Sequence, residues 1–171
     1  MADKAKISVG DVFQITIDSA RVGYGQVVLR PEKNIKGVLF ICVYAETTRP
    51  GEIPSIRQIV KSDILLAGNT FDAKLNHRHW PIVGNITENL PSIALPHYKY
   101  AQSDAVVVEN LERTRRRQAT AAEANELPLR TYTSPAVFEL ALKAIGGVGE
   151  WRGEFDDLKY DELRKSSEVV V

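Results

Sequence analysis

The stretch "VLFICVYA", residues 38–45, sets apolar side chains in a row without polar alternation. Successive side chains of a strand point to opposite faces, so a run that is apolar at every position cannot lie at a half-solvated surface. It reads as a central strand covered above and below. The rest of the chain must therefore supply two covers. At 171 residues the chain is long enough to do so without disulfides or metals. The single cysteine, Cys42, falls inside the run and reads as a small buried hydrophobe.

The segments around this strand carry a β pattern. "GDVFQITI" (10–17) sets Val12, Phe13, Ile15 and Ile17 among polar residues, "DSARVGYG" punctuates, and "YGQVVLR" runs on to Pro31, which predicts a hairpin. "SIRQIVKS" predicts a short helix capped by Ser55, with Ile56, Ile59 and Val60 on one face. "DILLAG" and "KLNHRHWPIVGNI" read as two more strands, Pro81 and Gly84 marking the second as an edge or a bulge. Residues 88–103 are proline-rich and aromatic and read as an ordered loop over the sheet, and "DAVVVENL" as one further strand.

Beyond residue 110 the period becomes helical. Thr120 and Glu123 form a capping-box pattern, in which a threonine hydroxyl and a returning carboxylate satisfy the first free N–H groups of a helix. Ser134 followed by Pro135 opens a second helix with Val137, Phe138, Ala141, Leu142 and Ile145 on one face, and Gly146-Gly147 ends it. Strands first and helices later predict an α+β fold: a twisted, mainly antiparallel sheet with helices in the C-terminal half. One domain is expected over 1–171, with its core over about 8–150 and an acidic C-terminal extension over 151–171.

"RVGYGQVV" invites a nucleotide reading. A dinucleotide loop needs a third glycine three places after the second and a helix behind it, because the helix N-terminus faces the pyrophosphate. Val28 occupies that place, and a β-branched run follows. Gly23 and Gly25 are thus expected to serve the backbone, by a positive φ or a bulge. Tyr24 between them is either a packed ring or a contact residue.

Other chemistry is sparse. His77 and His79, two apart on an expected strand, would project from one face as a metal pair does, and with His97 they exhaust the histidines. No carboxylate stands at ligand spacing beside them, so no metal and no cofactor is expected. There is no nucleophile elbow, no H-E-x-x-H and no phosphate-binding loop, and the chain reads as a non-enzyme. Arg113, Arg115, Arg116 and Arg117 make a local basic patch. Lys+Arg and Asp+Glu balance at 22 each, and no aromatic residues for base stacking stand nearby, which argues against nucleic acid. The longest apolar run falls far short of the roughly 20 residues that span a bilayer. With no apolar leader in Met1–Lys6, the chain is expected off the membrane and in the cytoplasm.

"GDVFQITI", "GYGQVV", "VLFICVY", "DILLAG", "HRHWPIVGNI" and "RRQATAAEANELPLRTYTSPAVFELALKAI" together resemble the immunity protein 26 family, over about Gly10 to Trp151. The resemblance implies a small α+β protein of a bacterial polymorphic toxin system, which caps a cognate protein toxin by contact. Such a complex needs about 800 Å² on each partner and a few aromatic or arginine anchors. Tyr24, Trp80, Tyr98 and Tyr100 are the anchor candidates, with Asp156 and Asp157 as an acidic docking face. The competing readings are a small metal-dependent hydrolase built on the three histidines and a nucleic-acid-binding protein built on the four arginines.

Overall fold

The computed structural model describes residues 4–171. In chain order the elements are β1 (Asp11–Thr16), β2 (Val22–Leu29), β3 (Val38–Thr48), α1 (Ile56–Ile59), β4 (Ile64–Phe71), α2 (Ala73–Asn76), β5 (Ile82–Asn85), β6 (Tyr98–Gln102), β7 (Ala105–Glu109), β8 (Arg116–Gln118), α3 (Ala121–Glu126), β9 (Tyr132–Thr133), α4 (Pro135–Ile145) and α5 (Tyr160–Leu163). Short 3-10 turns span Leu90–Ser92, Gly153–Leu158 and Arg164–Glu168.

Strands β1 to β4 form an antiparallel meander, and the six-stranded sheet has the order β5-β1-β2-β3-β4-β9. Only β9 runs parallel to its neighbour. A separate antiparallel sheet has the order β6-β7-β8. This is the α+β arrangement that the order of sequence patterns predicts.

β3 lies inside the larger sheet and is covered on both faces. Leu39, Ile41 and Val43 pack with Phe13, Ile15, Val27 and Leu66, under Phe138, Ala141 and Leu142 of α4 and under Phe155 and Leu158. Phe40, Cys42 and Tyr44 pack with Val12, Tyr24 and Ala67, under Ile59 of α1, Ile93, Tyr98, Leu111 and Leu163. Burial pushes the Cys42 thiol up to about 12, which keeps it a neutral core group. On this second face Gln26, Tyr44 and Asn89 form a buried polar knot. The Tyr44 hydroxyl donates to Gln26 Oε1 (2.6 Å), Asn89 Nδ2 donates to the same oxygen (2.8 Å), and Gln26 Nε2 donates to the Ile86 carbonyl (2.8 Å). The knot fastens residues 86–93 over the sheet and leaves these buried polar groups satisfied.

Two of the three expected caps form through side chains, while Ser55 stands at the N-cap position of α1 without a side-chain cap hydrogen bond. Thr120 and Glu123 make the reciprocal capping box of α3, and the Ser134 hydroxyl accepts from the Ala136 N–H with Pro135 in the first turn of α4. Ile145, expected on the packed face of α4, is instead 45% exposed.

Further expectations need correction. Within 88–103, read as a loop, Tyr98–Gln102 form β6. Residues 74–86 are not one strand. Ala73–Asn76 form a helical turn, Arg78 adopts φ 57°, and Trp80 donates its backbone N–H to the Lys74 carbonyl before β5 begins. This reversal lets β5 return antiparallel to β1 as the sheet edge, with a register shift at Val12/Phe13. Residues 151–171 are not an appendage to a core ending near 150 either. Phe155 and Leu158 belong to one core cluster and Leu163 to the other, and Lys159 bridges to Leu66 on β4.

Gly23 and Gly25 lie within β2 and not in the turn, and neither has a positive φ. The pairing of β2 with β3 shifts register between them, the bulge that the sequence allows. A Cβ on Gly25 would stand 2.5 Å from Phe13 Cζ and 3.0 Å from the Cys42 carbonyl oxygen. Phe13 is itself stacked on Trp80, with ring centroids 5.1 Å apart, and has little room to yield. Gly25→Ala is expected to destabilise the protein by about 1–3 kcal/mol in urea denaturation. Gly153→Ala, with nothing within 4 Å of the added carbon, should stay within about 0.5 kcal/mol of the parent.

Candidate partner-binding cleft

Three of the four aromatic anchor candidates point inward. Tyr24 and Trp80 are 1% exposed and Tyr98 is 3% exposed. The Tyr24 and Thr48 hydroxyls share a 2.6 Å hydrogen bond, Trp80 lies flat on Phe13, and the Arg130 guanidinium covers the Tyr98 ring at 4.9 Å. Tyr24 and Trp80 act as core and cannot reach a docked protein without opening the fold, while Tyr98 keeps only a small exposed edge, at the cleft described below. Tyr100 remains half-buried on β6.

The histidine geometry also changes. His77 and His79 sit on the turn after α2, with ring centroids 6.3 Å apart, so the same-face argument for a strand lapses. His97 leads into β6, where its backbone N–H donates to Ser166 Oγ (3.0 Å) and its buried Nδ1 has no hydrogen-bond partner. Among the described residues no group of three or more His, Cys, Asp or Glu side chains is placed to hold a metal. Burial lowers the His97 pKa, opposed by the Val169 carbonyl and Ser166 and assisted by Arg115 and Arg117.

The four arginines do not form one open basic patch. Arg117 binds Glu123 through two hydrogen bonds of 2.7 Å, which hold that carboxyl down at about 2. Arg113, at φ 57° in the β7–β8 turn, reaches Glu109 (3.3 Å) and Glu32 (3.5 Å). Glu109 in turn binds Arg130 at 2.8 Å, both side chains being more than nine-tenths buried. Glu109 and Arg113 stand four positions apart, but Glu32 and Arg130 lie far from them along the chain, so the network as a whole was not visible in the sequence.

The structure does gather some predicted residues round a cleft of about 540 Å³. One wall is the segment from the end of α3 toward β9, with Leu127, Leu129 and Thr131. The other comprises residues from 156 to 169, including Leu163 and Val169, and Tyr98 and Lys99 of β6 complete the lining. Both walls follow the outer edge of β4, where β9 pairs with Asn69 and Thr70 and Lys159 bridges to Leu66.

Four carboxylates line the cleft: Glu126, Asp156, Asp157 and Glu162. Asp156 is committed to Lys159 (2.6 Å) and to the Trp151 indole N–H (3.1 Å), hydrogen bonds that lower its pKa. Glu162 is committed to Lys165 (2.7 Å). The Lys99 ammonium donates to the Ala124 and Asn125 carbonyls at 2.6 and 3.2 Å. Among the described residues no lysine or arginine stands at ion-pair distance from Glu126 or Asp157.

Residues 8–106 match the family model described as Immunity protein 26. The chain belongs to the Immunity protein 26 family. The match covers β1 to β6 and the start of β7, including the Trp80-Pro81 turn, and stops short of the stretch to Trp151 over which the sequence resembles the family. Of the residues that line the cleft, Tyr98 and Lys99 lie inside the matched stretch and the others outside it. No curated protein and no solved structure matches the chain.

Two outcomes follow for this part of the molecule. Arg130→Met leaves Glu109 buried without its closest partner and should cost about 3–5 kcal/mol in chemical denaturation, whereas an exposed arginine such as Arg116 changed to Met should cost under about 0.5 kcal/mol. Because the folded His97 pKa lies below its unfolded value of about 6.5, its contribution is complete above that pH and is lost as pH falls below it. The stability difference between the parent and His97→Gln should therefore shrink between pH 7 and pH 5, as measured by urea titrations across that range.

Proposed function

We propose that the chain is an immunity protein that binds a cognate protein toxin in the cytoplasm and neutralises it by contact, without catalysis. Membership of the Immunity protein 26 family, matched over residues 8–106, carries this reading. The positions of the titratable groups agree with it. The buried charged side chains of Glu109 and Arg130 are spent on each other, and the thiol of Cys42 is held neutral in the core. No helix among the described residues is long and apolar enough to cross a membrane.

Contact inhibition and catalytic inactivation differ in stoichiometry. With the toxin recovered by affinity capture from the protein's source, its activity should fall linearly as the chain is added and reach zero at one equivalent. Full neutralisation by a small fraction of an equivalent would mean turnover and would overturn the contact mechanism. Absence of both complex and protection at several equivalents would overturn the immunity assignment.

A further inference from the structure

We propose that the cleft beside β4 receives a lysine or arginine side chain of the partner protein, with its aliphatic stem along Leu127, Leu129 and Val169 and its charged head between Glu126 and Asp157. The proposal rests on the immunity reading for the nature of the partner, but its chemistry is read from the cleft.

The walls and the charges select this occupant together. A recess lined by Leu127, Leu129, Leu163 and Val169 offers apolar contact to a chain of methylenes. Leu129 is left 60% exposed in the free protein, so a docked stem would remove it from water. A purely apolar side chain would satisfy these walls but would desolvate Glu126 and Asp157 with no compensating donor, which is unfavourable. A carboxylate or phosphate would meet a lining with four carboxylates and only Lys99 and Lys165 as cations, each already engaged by carbonyls or by Glu162. Long basic side chains combine an apolar stem with a cationic head and match both halves of the site.

The two carboxylates differ from their neighbours in availability. Asp156 and Glu162 have internal lysine partners, and recruiting them would break bonds already made. Glu126, at the end of α3, and Asp157, in the Gly153–Leu158 turn, belong to different walls of the cleft and flank the space assigned to the cationic head. A divalent metal is a poorer fit, since no third ligand joins them among the described residues. Of the two adjacent aspartates in "FDDL", the structure thus assigns the docking role to Asp157 and an internal role to Asp156.

The test uses the full chain and three small probes: the N-acetyl amides of arginine, lysine and citrulline. Citrulline keeps the shape of arginine and removes its charge. Titration of each probe into isotopically labelled protein should give saturable amide shifts at Leu127, Leu129, Asp157 and Val169 for arginine or lysine, and about tenfold weaker binding for citrulline. The double variant Glu126→Gln/Asp157→Asn should weaken the basic probe by at least about tenfold. Asp104→Asn, which removes one carboxylate charge at the β6–β7 turn outside the cleft lining, should leave the affinity unchanged. No saturable shift in the cleft, equal binding of citrulline, or an undiminished affinity in the double variant would each overturn the proposal. None of these outcomes involves a toxin, so they are separable from a failure of the stoichiometric titration, which would sink the immunity reading and leave the cleft chemistry standing.

Discussion

The double burial of β3 governs the architecture. Its alternate residues point into two separate apolar clusters, one through Leu39, Ile41 and Val43 and the other through Phe40, Cys42 and Tyr44. A four-strand meander can place β3 at its centre but cannot roof either face. One roof is α4 with the turn that holds Phe155 and Leu158. The other combines α1, the segment over 86–97, the small sheet and Leu163. The last part of the chain serves both, because it passes the edge of β4 at Leu66 on its way between them. The cleft lies where this crossing runs beside the strand-like segment leading to β9, so the candidate interface is a by-product of how the sheet edge is closed.

Buried polar groups fix the alignment of these layers. Apolar contact between sheets is permissive, since sliding one layer by a residue replaces one aliphatic contact with another. The Gln26, Tyr44 and Asn89 knot, and the Glu109 and Arg130 pair with Arg113 and Glu32, tolerate no such sliding, because misalignment would leave buried donors and acceptors unmet. A buried ion pair adds little net stability over a well-packed apolar pair, so its value here is in specifying one arrangement of the small sheet against the large one. Arg130, two residues before β9 of the large sheet, bonds Glu109 of β7 while its guanidinium lies over Tyr98 of β6.

Much of the fold was legible because it is governed by local rules. The unbroken apolar run of β3, the Thr120 capping box and the Ser134-Pro135 helix start are each specified by residues within a few positions of one another. The "HRHW" turn was not legible, since Trp80, Ile82 and Ile86 fall at the even spacing of one strand face when only hydrophobicity is read, while the reversal depends on Arg78 adopting a left-handed backbone. Aromatic rings posed a different difficulty. Tyr24, Trp80 and Tyr98 have the composition of interface anchors, and nothing local distinguishes an anchor from a core ring whose polar atom finds an internal partner. At the cleft, acidic character over 150–162 was visible from composition, but the commitment of Asp156 to Lys159 and the freedom of Asp157 depend on which way adjacent side chains point in a short turn.

The reach of the covers across the chain also has a kinetic meaning. The Arg21 guanidinium in the first hairpin bonds the carbonyl of Gly146, 125 positions away, at the end of α4. The meander can assemble from successive hairpins, each closing a short loop, yet its two apolar faces stay bare until the C-terminal half arrives. Such a partly built sheet is a species that associates with its own kind and that chaperones bind. Folding yield should therefore depend less on the strands themselves than on how quickly residues 135–163 close over them.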